Sequence, residues 1–166
     1  MRKELLTRES ADLVGLFDCG EEPYAIEVSD WIKGTGGDVW LAIRGGAEVW
    51  LYLSESEELI GFGALYPQRI HLEGSDRPLG ELLTIAYFGI AKAFRKKPDG
   101  PYQNYYSRQI LHDLIQQAKK HPSNPNRLAL YVNPNNVGAI RLYSDPEFQF
   151  VKVGTFDGDD CMVKIF

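Results

Sequence analysis

Apolar and polar positions change rhythm along the chain. Between Leu82 and Ile90 both alternating faces are apolar, with Leu83, Ile85, Tyr87 and Gly89 on one and Leu82, Ala86, Phe88 and Ile90 on the other. A strand buried on both sides reads this way, which predicts a place in the middle of a sheet with layers on each side. From about Asn104 to Lys120 the rhythm turns helical, as Tyr106, Ile110, Leu111, Leu114, Ile115 and Ala118 recur on one face. Between strand and helix lies a loop with Arg95, Lys96 and Lys97. Strand, cationic loop, helix start: that order predicts a site for an anionic, phosphate-bearing ligand. The free N–H groups and the positive end of the helix dipole both point at the loop.

The flanking segments follow the same logic. Residues 2–8 read as a short edge strand or lead-in, and Ser10 as the N-cap of a helix over Ala11–Phe17 closed by Gly20. Glu21, Glu22 and Pro23 suit a helix start, with Tyr24, Ile26, Val28, Trp31 and Ile32 as its apolar face and Gly34–Gly37 as its stop. Residues 38–45 carry both a helical and an alternating pattern, and the helix is favoured. Glu48–Leu53 and Leu59–Tyr66 form a hairpin, and Gln68–Arg77, with a surface His71, forms a loop. After a turn-rich linker over 121–127, Leu128–Val132 reads as a buried strand. Asn133–Asn136 opens a short helix through Ala139, Ile140 and Tyr143, and Phe148–Val153 and Cys161–Phe166 close the chain as a hairpin. The sum is a single domain over 1–166, an α/β sandwich around one mixed sheet, without internal repeats.

The totals narrow the function. At 166 residues and 44% hydrophobic content there is chain enough for a proper core. No apolar run reaches the roughly 20 residues of a membrane span, and the N-terminus lacks a signal-peptide core, so a cytoplasmic chain without membrane contact is expected. Cys19 and Cys161 stand apart from each other and from any histidine, which predicts reduced thiols and no metal-ligand set. A formal net charge of −5 disfavours nucleic acid as a partner. Against that background the cluster of Arg95, Lys96, Lys97 and Arg108 is informative, although a solvated loop beside a helix end explains it equally well.

Two segments resemble the GNAT superfamily of acetyl-CoA-dependent N-acetyltransferases. FGIAKAFRKK and the helix after it are similar to that family's fourth strand, cofactor loop and pyrophosphate-binding helix. NNVGAIRLYSDPEFQFV places Asn136, Ala139, Leu142 and Tyr143 as in the family's N-x-x-A-x-x-L-Y helix. With the two hairpins, the likeness covers most of residues 47–166. It implies a mixed, mostly antiparallel central sheet flanked by helices (α+β in character), with acetyl-CoA as acyl donor and no metal. A homodimer is compatible with it. One departure concerns the cofactor signature. With Gln103 as its first residue, Tyr106 and Arg108 stand where the family has glycine or alanine; with Arg95 as its first residue, PDGPYQNYY is an insertion between the basic residues and the helix. A shorter stretch, FDCGEEPYAIEVSDWI, resembles the start of some bacterial GNAT proteins, including toxins that acetylate aminoacyl-tRNA.

The resemblance assigns expected roles. Phe88, Gly89, Ile90, Arg95, Lys96, Lys97, Tyr106, Ser107, Arg108, Asn136, Ala139 and Tyr143 would hold acetyl-CoA. Gly89 would mark a bulge where the strand edge meets the pantetheine arm, with an N–H near Ile90 polarising the acetyl carbonyl. A packing glycine beneath an aromatic is the alternative. Tyr143 would protonate the departing thiolate, and Asn136 would hold the cofactor or cap its helix. An amine acceptor must first lose a proton. Glu81 is the expected base, acting through a water that Thr84 could orient, with Asp159 and Asp160 as alternatives. The expected activity is transfer of an acetyl group to a primary amine of a small molecule or protein. The alternatives are an aminoacyl-tRNA-acetylating toxin, or a binding protein whose cofactor loop has lost its activity.

Overall fold

The computed structural model describes residues 1–34, 36–76, 78–96, 98–99, 104–123 and 125–166. In chain order its elements are β1 (Arg2–Leu5), α1 (Ala11–Val14), α2 (Pro23–Ile32), α3 (Asp38–Arg44), β2 (Glu48–Leu53), β3 (Leu59–Ile70) and β4 (Gly80–Ile90). A 3-10 turn (Lys92–Phe94) follows, then the short pair β5 (Pro98–Asp99) and β6 (Asn104–Tyr105), α4 (Tyr106–Lys120) and β7 (Arg127–Val132). The chain ends with α5 (Val137–Ser144), β8 (Val151–Phe156) and β9 (Asp159–Ile165).

Seven strands make one sheet in the order β1-β2-β3-β4-β7-β9-β8, antiparallel except where β4 meets β7. A parallel pair needs a crossover, and α4 supplies it. Side-chain alternation sorts the core into two layers. Val49 and Leu51 of β2 join Phe17, Ala25, Ile32 and Phe62 under α1–α3. Trp50 and Tyr52 join Ile110, Leu111, Leu114 and Ile115 of α4 on the other face. Each large apolar side chain so buried stabilises the fold by about 1.5–3 kcal/mol. α4 lies close over β3 because Gly63 leaves room, since a Cβ there would stand 2.6 Å from a Leu114 methyl.

The sheet comes apart in its middle. β4 and β7 pair only over Leu83–Ile85 against Leu128–Leu130. At that point Ala86 is an extra residue in β4, because Ile85 opposes Leu65 and Tyr87 opposes Ala64. A bulge of this kind bends and twists its strand. β7 runs on beside β9, with Tyr131 opposite Cys161 and Val132 opposite Asp160. The last half of β4 therefore parts from the end of β7.

Several expectations are corrected. The first helix stops at Val14, and the Ser10 hydroxyl turns back to the Thr7 backbone instead of capping it. β3 runs on to Ile70 through Pro67, taking in residues expected to be loop. The last hairpin is shifted: Phe148 and Phe150 are core residues ahead of β8, and the turn falls at Asp157–Gly158, both at positive φ. The favoured helix over 38–45 is present as α3. Among the described residues no helix is long and apolar enough to cross a membrane.

Candidate active site

The parted strands open a passage with two chambers. The larger, about 470 Å³, has Phe88, Gly89 and Ile90 of β4 at its floor and Asn136, Ala139 and Tyr143 on one wall. Cys19, Glu22, Tyr24 and Val28 form the opposite wall, and Arg95, Lys96 and Ser107 stand at its rim. The smaller chamber, about 50 Å³, lies between Ile85–Phe88 and Leu130–Asn133, with Glu27, Trp31 and Asp159 at its edge. Tyr24, Val28, Phe88, Asn136 and Tyr143 line both.

Local structure fixes each wall. Asn136 accepts a hydrogen bond from the Ala139 N–H at 3.1 Å, so its side-chain oxygen caps α5 and points that helix across the gap. Tyr143 is buried, with its ring centroid 6.4 Å from that of Phe88 and 6.0 Å from that of Phe150. Burial raises the pKa of its phenol, with a smaller push from Cys19. Cys19 is a buried free thiol. It donates to the Ile90 carbonyl at 3.2 Å, and Arg95 Nη2 donates to Cys19 Sγ at 3.0 Å. Burial raises this thiol while Arg95 opposes the rise. Lys96 sits at φ 57°, a left-handed conformation unusual for lysine, at the turn where the chain leaves the sheet. Tyr105, at the N-cap of α4, makes no side-chain capping hydrogen bond, and Ser107 of its first turn lines the larger chamber.

Phe88, Gly89, Ile90, Arg95, Lys96, Ser107, Asn136, Ala139 and Tyr143 therefore converge on one cleft. Others do not. The Arg108 guanidinium is held by both Asp145 oxygens at 3.1 Å and by Glu147, over the Phe148 ring, so it clamps α4 to the end of α5 instead of reaching for a phosphate. Tyr106 packs edge-on against Phe94 with centroids 5.6 Å apart. Glu81 lies opposite Arg69 and is exposed at the far end of β4, roughly 15 Å up the strand from the bulge at about 3.3 Å per residue. Thr84 is fully buried with its hydroxyl 2.7 Å from the Tyr66 carbonyl and 2.9 Å from the Gln68 side-chain oxygen, so its proton is engaged within the β3–β4 pair. Asp160 pairs with Lys152 at 2.6 Å. Gly89 is a packing glycine, because a Cβ there would stand 2.6 Å from Val28 and 2.7 Å from the Phe62 ring. The bulge is at Ala86. Lys97 and Gln103 lie outside the described residues.

Within 19–31, Cys19, Glu22, Glu27 and Val28 are wall residues that pattern reading did not single out as such, because nothing local marks them as facing a cleft. The FDCG stretch was the available signal. Its Phe17 is core, against Phe62 at 5.1 Å, and its Cys19 lines the cleft.

No protein-family model matches the chain, and no curated protein sequence matches it either. Solved structures do. A GNAT-family acetyltransferase from Staphylococcus aureus Mu50 superposes with a TM-score of 0.62 at 12% identity, covering 99% of this chain and 98% of that one. The chain has the GNAT fold. A bacterial toxin gives a TM-score of 0.67 at 16% identity, over 99% of this chain and 90% of that one. AtaT complexed with acetyl-methionyl-tRNAfMet gives 0.59 at 13%, over 99% and 94%. A mutant form of the toxin AtaT is also known bound to acetyl-CoA and the C-terminus of the antitoxin AtaR, at 0.58 and 12%, over 99% and 92%. At these identities the likeness is one of fold, and the parted central strands belong to that fold in this chain.

Proposed function

We propose that the chain is an N-acetyltransferase that moves the acetyl group of acetyl-CoA directly to an amine. One observation carries the reading: of the two tyrosines that line both chambers, Tyr143 is the buried one, set on α5 against Phe88, so its phenol stands between the place of a thioester sulfur and the place of an incoming nitrogen. The larger chamber fits the donor. Its floor is apolar, as a pantetheine arm requires. Its lining includes Arg95, Lys96 and Ser107 in the first turn of α4, which suit phosphates. Beyond Ile85 the β4 backbone is no longer paired with β7, so an N–H there can polarise the acetyl carbonyl. Tyr143 holds its phenol proton near neutral pH, as a proton donor to the leaving thiolate must, and burial, by raising its pKa, makes that donation more uphill than from a free phenol.

A second reading, transfer to an aminoacyl-tRNA, is favoured by the fold shared with AtaT, which was solved with acetyl-methionyl-tRNAfMet. The net charge of −5 opposes it. Calorimetric titration with acetyl-CoA, followed by free-CoA release in the presence of small amines, lysine peptides or methionyl-tRNA, tests the proposal. Saturable acetyl-CoA binding and acceptor-dependent CoA release are expected. Absence of acetyl-CoA binding would sink transferase activity and leave a GNAT-fold binding protein.

A further inference from the structure

The smaller chamber has its own chemistry. At about 50 Å³ it has room for a few water-sized groups, which admits an unbranched aliphatic chain and excludes a nucleobase or a planar ring. Its edge residues Glu27 and Trp31 also belong to a shallow outer depression of about 380 Å³ that contains Asp30 and Asp38. Among the described residues no lysine or arginine lines either space, whereas Arg95 and Lys96 line the donor chamber. The aromatic walls Tyr24, Trp31 and Tyr131 suit an alkyl chain and the face of an ammonium.

Resting on the transferase reading, we infer that the acceptor is a linear aliphatic amine carrying a second positive charge, threaded with its reacting nitrogen beside Asp159 and its second ammonium at Glu27, Asp30 and Asp38. The reacting ammonium gives one proton to Asp159, which passes it to solvent. The freed lone pair forms the N–C bond to the acetyl carbon as the C–S bond breaks. The nitrogen's second proton is replaced on the sulfur side, where Tyr143 protonates the thiolate and is reprotonated from the nitrogen. The products are the acetamide, CoA thiol and one released proton. Asp159 is suited to the base role because it is half-buried and faces negative neighbours. Glu27 of α2 and Asp157 and Asp160 of its own hairpin all raise its pKa after burial has done so. Lys152 is engaged by Asp160, Glu73 by Thr155 and the Gly158 N–H, and Tyr131 of β7 is held in its phenol form by burial. Two sources carry this chemistry, a free diamine or polyamine and a lysine side chain beside other basic residues.

The test compares 1,4-diaminobutane, butylamine and an Ac-Lys-Lys-amide peptide in acetyl transfer from acetyl-CoA, with calorimetric binding of the diamine in parallel. A kcat/KM for the diamine at least about tenfold above butylamine is expected, one charged contact's worth. Glu27→Gln, at an exposed position, should bring the two amines close to parity. Asp159→Asn should lower kcat for both and remove the acid limb of the pH profile. The peptide arm identifies the source: faster turnover than the diamine assigns a protein lysine, slower turnover a free amine. Equal turnover of diamine and butylamine overturns the inference, as does a preference that survives Glu27→Gln or methionyl-tRNA being the better acceptor. The two failures are separable. Acetyl-CoA binding without diamine preference sinks this inference alone, whereas diamine binding lost in Glu27→Gln without acetyl-CoA binding sinks the transferase reading and leaves the amine site.

Discussion

At one end of the passage Arg95 and Lys96, on the loop that follows β4, outnumber the Glu22 carboxylate that lies 3.4 Å from Arg95, whereas the other end is lined by the carboxylates Glu27 of α2 and Asp159 of β9. The cationic end is wide and floored by apolar side chains, while the anionic end is narrow and flanked by aromatic rings. Their shared wall is Phe88, Tyr143 and the start of α5. A sheet that stayed paired would have neither end, so the chemistry follows from where β4 leaves β7, at the Ala86 bulge. On the proposed reading this difference in charge would separate the two substrates, repelling a phosphate-bearing donor from the carboxylate end and an ammonium from the cationic rim.

The strongest test acts on the shared wall. Tyr143→Phe removes the phenol proton and keeps the packing against Phe88 and Phe150. Turnover should fall about 100-fold or more, the size of a lost general acid, while acetyl-CoA affinity by calorimetry stays within about twofold. Unaltered turnover would remove Tyr143 from proton transfer and with it the idea that one residue serves both ends.

A smaller effect should separate the cations of the donor end from each other. Arg95→Ala and Lys96→Ala should each weaken acetyl-CoA by about tenfold, near 1.4 kcal/mol, with the loss growing at low salt. Arg108→Ala should leave that affinity nearly intact and lower the melting temperature instead, because its guanidinium is already spent on Asp145 and Glu147. Calorimetry and thermal melts on the three variants decide it. A tenfold loss of acetyl-CoA affinity in Arg108→Ala would restore that residue to the phosphate site.

Arg108 also marks the limit of what the chain discloses on its own. Its chemistry depends on Asp145 and Glu147, carboxylates far along the chain, and no periodicity pairs them with it. Tyr143 and Asn136 were legible because one helix carries both at a fixed spacing, and Phe88–Ile90 because a strand buried on both faces has a distinctive pattern. Glu81 lies away from the cleft for a physical reason. The pattern locates the central strand but not which end of it opens, and that is set by where β7 stops pairing. Gly89 read as a bulge because a strand glycine signals either a bulge or close packing, and only Val28 and Phe62, brought in from elsewhere, decide between them. Cys19, Glu22 and Glu27 come from a segment that only the tertiary arrangement brings to the opening. Layer order and strand identity were thus local information, and the lining of the passage was not.

The smallest expected effect is on stability, and it tests the anionic end without any substrate. Burial and the charge of Glu27 raise the Asp159 pKa above its ordinary value. Between those two values the native state holds more protons at this site than the unfolded chain, so stability falls as pH rises through that window. The cost is fully present at pH 7 and absent below the ordinary carboxylate range. Asp159→Asn removes the ionisable group and should raise the melting temperature at pH 7 by roughly 1–2 °C, trimmed by the solvent that reaches this half-buried site. The gain should vanish near pH 3, where the native carboxyl is neutral in both states. Glu27→Gln should give part of the same gain by relieving the same repulsion, and the double variant should gain less than the sum. A destabilised Asp159→Asn at pH 7 would mean that the carboxylate is held by favourable partners. It would then serve as a structural anchor of the β8–β9 hairpin, and the passage would have a charged donor end facing an acceptor end without a base.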